Sequence, residues 1–154
     1  MPPSASRSEL AALLAAALAV RLLCFVGATD GDASIYAELA SRPLHLASTD
    51  LIHGGTAIGL FGVLVPTRVA FLLCGAGEHA AAVYPLLCSV GMVALAWVLG
   101  RRLAGPFAGL CAGGLVALCP HQLICGTVLG ADLPAGFWLA LAGSVFWGRP
   151  SSLS

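Results

Sequence analysis

Apolar residues in this chain come in long runs, without the alternation of a half-buried strand or the single stripe of a soluble amphipathic helix. Runs of about 17–25 apolar residues match the thickness of a bilayer when helical. Four stand out: Leu10–Gly27, Ala80–Leu99, Leu103–Pro120 and the shorter Leu133–Gly148. Lipid offers backbone N–H and C=O groups no partners, so open-ended segments crossing it must be helical. The pattern predicts an all-α fold, a polytopic transmembrane helical bundle forming one membrane domain over residues 1–154. Its spans lie at about 10–27, 80–99, 103–120 and 133–148, with a loop over 28–79 between the first two.

A fifth stretch, Thr56–Gly77, reads "TAIGLFGVLVPTRVAFLLCGAG" and carries Pro66 and Arg68 in its middle. An Arg at a bilayer centre costs about 2.5–3.5 kcal/mol on insertion scales. Charge placement distinguishes two topologies. Cytoplasmic flanks collect Arg and Lys, and Arg7 precedes the first span. If 56–77 does not cross, Arg101, Arg102 and Arg149 all fall on the side of Arg7. If it crosses, Arg101 and Arg102 fall outside. The first arrangement is expected: four spans plus a juxtamembrane or re-entrant segment, with the N-terminus cytoplasmic. The loops 28–55 and 121–132 then share the extracytoplasmic face. There Asp30, Asp32, Glu38, His53, His121 and Asp132 can meet in one pocket.

Composition agrees with a membrane class. Of the 154 residues 59% are hydrophobic and only 9% charged, and the mean hydropathy is +0.97. So few charges cannot coat a water-soluble globule of this size. The formal net charge is zero, so no nucleic-acid partner is implied. All seven basic residues are Arg, a bias that fits a GC-rich bacterial genome. Six Cys sit mostly inside apolar runs without a CxxC pair, so they read as small buried hydrophobes. A signal peptide is the other reading of the N-terminus, but Arg21 interrupts its apolar run, and an uncleaved first span is expected.

The densest chemistry lies in "ATDGDASIYAELASR", residues 28–42. Its second part reads as an amphipathic juxtamembrane helix over about 33–42, with Ile35, Leu39 and Ala40 on one face and Pro43 as the stop. Asp32 stands at its N-terminus, where a carboxylate caps backbone N–H groups. Tyr36 lies four residues on, on the same side, as an interfacial aromatic or a substrate contact. A carboxylate at this boundary serves equally as a general base toward an acceptor hydroxyl or as a ligand for a divalent cation. Asp132, just before Pro134, is a helix cap or a second acid. His53 and His121 are solvated loop residues or substrate contacts. Arg68 snorkels or binds an anionic head group, and Arg21 snorkels or makes an interhelical pair.

The order of these features resembles the N-terminal part of the polytopic, GT-C-fold glycosyltransferases of the protein mannosyltransferase and aminoarabinose transferase type. "GDASIYAELA" is similar to the family's Asp-containing start of the first extracytoplasmic loop. The run from "VLVPTRVAFLLCGAGEHAAAVYPLLCSVG" through "RRLAGPFAGLCAGGLVALCP" is similar to its Pro-, Ala-, Tyr- and Ser-bearing stretch, basic turn and Ala/Gly-rich span. "GADLPAGFWLALAG" is similar to the Asp heading the next span. The likeness extends from about residue 10 to 148, although Ala33 stands where many members carry a second acid.

The resemblance implies Asp32 and Asp132 as catalytic acids and gives Tyr36 a family position. With the reading of the residues themselves, Tyr36, His53, Arg68 and His121 are the expected substrate contacts. The resemblance also implies transfer of a sugar from a polyprenyl-phosphate donor on the extracytoplasmic face of a bacterial plasma membrane. It requires no cofactor, and dependence on a divalent cation varies within the fold. Family enzymes hold more spans than "GRPSSLS" leaves room for, which implies a missing C-terminal half or partner subunit. The alternative expectation is a non-catalytic small integral membrane protein, a degenerate remnant or an assembly subunit.

Overall fold

The computed structural model describes residues 3–27, 31–42 and 61–147. All regular structure among them is helical: α1 (Pro3–Leu23), α2 (Gly31–Ser41), α3 (Phe61–Cys74), α4 (Glu78–Ala104), α5 (Pro106–Leu118), α6 (Pro120–Cys125) and α7 (Asp132–Trp147). The all-α expectation holds.

Three of the helices build the central packing. Ala17 of α1, Val93 of α4 and Ala117 of α5 are buried together, with Leu13, Leu14 and Val116 packed around them. These inward residues are small, and glycine carries the closeness further. A Cβ on Gly109 would lie 2.8 Å from the Trp97 carbonyl oxygen, so α5 rests directly on the backbone of α4. The turn between these helices is one residue, Gly105, at φ +90°. Only glycine adopts this conformation without strain. Pro106 then opens α5, where its missing N–H leaves no broken bond.

Glu9 of α1 pairs with Arg101 of α4 at 3.6 Å. The start of α1 and the end of α4 therefore lie together, and α1 and α4 are antiparallel. At the opposite end the Phe25 ring stacks on His79, centroids 4.8 Å apart, and the Val26 N–H donates to Thr127 Oγ1. α7 starts at this end and descends beside α4. Trp138 Nε1 donates to the Tyr84 hydroxyl at 2.9 Å, and the Phe137 ring lies against Gly91.

The segment 61–74 stays at this second end. Val63 of α3 packs with Ala81 in the first turn of α4 and with Leu129, and Phe71, two turns later, packs against the same cluster. The other partner of α3 is α2, through Leu64 and Ala40. α3 therefore does not run the length of the bundle. Residues 56–60 lie outside the described ones.

Several expected details differ. Among the described residues one helix, α4, is long and apolar enough to cross a membrane. Its 27 residues span about 40 Å. The expected third span, 103–120, is cut by a break: α5 ends at Leu118, Cys119 is extended at φ −62°, ψ 121°, and Pro120 begins α6. The cause is local, because a proline disfavours helical geometry in the residue before it. The buried face of α2 is Ala33 and Ala40 with Tyr36 and Ala37 beside them. Of the residues expected on one apolar face, Ile35 is exposed while Ala40 is buried, because close contact with α3 selects the small side chains. Three of the six cysteines, Cys24, Cys74 and Cys111, are exposed and Cys88 is buried. An apolar run lines the outer as well as the inner face of its helix, so membership in the run does not imply burial.

Candidate functional site

Two features predicted from distant parts of the chain meet at the end opposite Arg101. Tyr36 of α2 and Asp132 of α7 line one cavity of about 210 Å³. Its other walls are Cys125 at the end of α6 and the connection Val128–Ala131, with Leu133. Local sequence explains each position. Asp132 is the first residue of α7, where an acid favours the helix N-terminus, and Pro134 two residues later fits a first turn. The carboxylate-bearing residue is exposed. Tyr36 is half-buried and packs beside Ala131 and Leu64. α6 and its glycine-ended turn bring the chain back over the mouth of the bundle: the Gly126 N–H donates to the Gln122 carbonyl at 3.1 Å.

The other predicted residues take separate places. Asp32 is the second residue of α2, one turn before Tyr36. His121 is exposed on α6, and its Nε2 lies 3.6 Å from Cys125 Sγ, so it reaches the cavity through that thiol. Arg68 is not a cavity residue. It donates from Nη1 to the Arg42 backbone carbonyl, while Arg42 itself pairs with Glu38. The helix α3 holds Arg68 on the α2 side, and no carboxylate pairs with it among the described residues. His53 and Asp30 lie outside the described residues.

Sequence reasoning passed over Cys125, which it grouped with the apolar cysteines. The four-residue spacing to His121 was the available signal. Burial first, and the Asp132 carboxylate second, push the Cys125 thiol above its ordinary range. Both effects disfavour the thiolate, so Cys125 offers the cavity a neutral S–H group. The cavity thus brings together the Asp132 carboxylate, a phenol and a thiol on walls of mixed polar and apolar character. Such a surface suits a hydroxyl-bearing ligand, whose O–H groups donate to the carboxylate.

Beneath α6 lies a second polar group that sequence did not assemble. Arg21 is fully buried. Its Nε donates to Ser89 Oγ at 2.7 Å and its Nη1 to the carbonyls of Ala17 and Ala117 at 3.0 and 3.3 Å. Ser89 in turn donates to the Gln122 carbonyl at 3.1 Å. This joins α1, α4, α5 and α6 under the cavity and answers the interhelical reading of Arg21, with Ser89 as its partner. No protein-family model, curated protein or solved structure matches this chain.

Proposed function

We propose that this chain is a membrane glycosyltransferase, or a portion of one, that moves a sugar from a polyprenyl-phosphate donor to an acceptor hydroxyl on the extracytoplasmic side. The observation that carries the reading is the cavity that joins Tyr36 to Asp132 across nearly a hundred residues of sequence. It lies at the end of the bundle opposite Arg101 and Arg102, the end that charge placement assigns to the extracytoplasmic face. The membrane setting is supported by the outward apolar side chains Leu18, Leu22, Leu87, Phe107, Leu115 and Leu139, far more than a soluble surface of this size carries. In this reading α1, α4, α5 and α7 are the membrane helices, and α2, α3 and α6 lie at the outer boundary.

The chemistry is an inverting displacement. Asp32 takes the proton of the acceptor hydroxyl as its oxygen bonds to the anomeric carbon. The bond from that carbon to the lipid phosphate breaks, and the phosphate leaves with the electron pair. Asp132 and Tyr36 orient the hydroxyls of the sugar or acceptor, His121 contacts the rim, and Arg68 faces the anionic end of the donor.

The test is sugar transfer in membranes that contain the chain, with a labelled polyprenyl-phosphate sugar as donor. Transfer above vector membranes, falling at least about 100-fold in both Asp32→Asn and Asp132→Asn, is the expected result. No transfer above vector membranes, or unchanged transfer in Asp32→Asn, overturns the proposal.

A further inference from the structure

We propose that Arg101 and Arg102, in the last turn of α4, hold the phosphate of an anionic phospholipid in the leaflet that contains the start of α1. The proposal rests on the membrane setting of the bundle and is independent of sugar transfer. Six arginines fall among the described residues, and the molecule uses them in two ways. Arg21, Arg42 and Arg68 each donate to an oxygen of this chain. The other three, Arg7, Arg101 and Arg102, stand at the end opposite the cavity. Among the described residues nothing bonds to the side chains of Arg7 and Arg102, and both are exposed. Arg101 Nη1 lies 3.6 Å from Glu9 Oε2, and neither atom has a hydrogen-bond partner. Three arginines against one glutamate leave two positive charges at this end.

Packing holds Arg101 in place. Its Cζ lies 5.2 Å from the centroid of the Trp97 ring, and its Cβ would be 2.9 Å from a Cβ on Gly109 of α5. Trp97 is 7% exposed, and its Nε1 is also buried without a partner. A guanidinium fixed in this way offers its N–H groups to a phosphate with little further loss of freedom. The depth fits as well. The 27 residues of α4 run about 40 Å, beyond a hydrocarbon layer of about 30 Å, so its last turn reaches the head groups. The choice of a lipid over a soluble anion rests on the neighbouring side chains. Leu103 and Phe107, on either side of the Gly105 turn, are 72% and 79% exposed. Charge and bare apolar surface side by side match the two halves of a phospholipid: phosphate on the arginines, acyl chains on Leu103 and Phe107.

Phosphatidylglycerol and phosphatidylcholine are the probes, each titrated into the full-length chain in maltoside micelles, with the retained lipid counted by native mass spectrometry. Preferential retention of phosphatidylglycerol is the expected result. Arg101→Gln and Arg102→Gln should each weaken it about 5-fold, and added salt should weaken it further. Glu9→Gln, which removes the competing carboxylate, should tighten it. Arg42→Gln removes the same charge at the other end and should leave the preference intact. Circular dichroism checks the helix content of each variant, and the exposed, unbonded Arg102 carries the test alone where Arg101→Gln unfolds. Equal retention of the two lipids, or a preference that survives Arg102→Gln unchanged, overturns the proposal. So does displacement of the lipid by inorganic phosphate at equal concentration, which would mark a soluble-anion site. A chain that stays in solution without detergent removes the membrane setting and this site with it, whereas a chain that enters micelles without discriminating between the lipids removes this site alone.

Discussion

Arg21 carries a charge in the interior where α1, α4, α5 and α6 meet, and no acid pairs with it among the described residues. Its partners explain its presence. The last carbonyls of a helix lack internal donors, and Arg21 supplies one to Ala117 near the end of α5, where a cation also suits the helix C-terminus. We predict that Arg21→Met lowers stability by about 1–3 kcal/mol, the cost of leaving such buried groups unpaired, as thermal unfolding in micelles would measure. An unchanged midpoint would remove the capping role. Cys125 allows a second test at this scale. Its thiol is raised by burial and by Asp132, so the stability tied to the protonated thiol is present at neutral pH and is lost as pH rises through the folded value. In a single-cysteine chain, maleimide should react slowly at neutral pH, and Asp132→Asn should speed it by freeing the thiolate. Equal rates would separate Asp132 from Cys125.

At the scale of elements, the contact between α4 and α5 depends on glycine. Gly109 sits against the Trp97 carbonyl and Gly100 against the Ala108 carbonyl, each closer than any Cβ can come. Gly109→Val should force the helices apart and cost about 1–3 kcal/mol, the typical penalty of overpacking. Unfolding of the variant in micelles checks this, and a midpoint equal to wild type would contradict it. The existence of these helices was legible in the apolar runs, because continuous hydrophobicity of that length has few other structural uses. Their ends were less so. The break at Cys119 was written in Pro120, but the apolar character continues through it and masks it. The face that α2 turns to α3 was not legible, because hydropathy ranks Ile35 above Ala33, whereas close helix contact ranks them the other way. Charge placement put the loop 28–55 and Asp132 on one face, but the join of Tyr36 itself to Asp132 was not foreseen. Nothing local in either segment points to the other. The Arg21–Ser89 bond was hidden because Ser89 reads as one small residue among many.

At the scale of the whole molecule, the two ends differ in kind. One gathers Arg7, Glu9, Arg101 and Arg102 on α1 and α4. The other gathers α2, α3, α6 and the cavity. Between them run helices with apolar outer faces. The roles proposed for Asp32, Tyr36 and Asp132 require those ends to lie on opposite sides of one membrane, with the cavity outside. Single cysteines at Gly130 and Arg102, in an otherwise cysteine-free chain, probe this directly with a membrane-impermeant maleimide on intact cells. Gly130→Cys should label at once, and Arg102→Cys only after the membrane is permeabilised. Labelling of Arg102→Cys in intact cells, or of both positions from the same side, would contradict it.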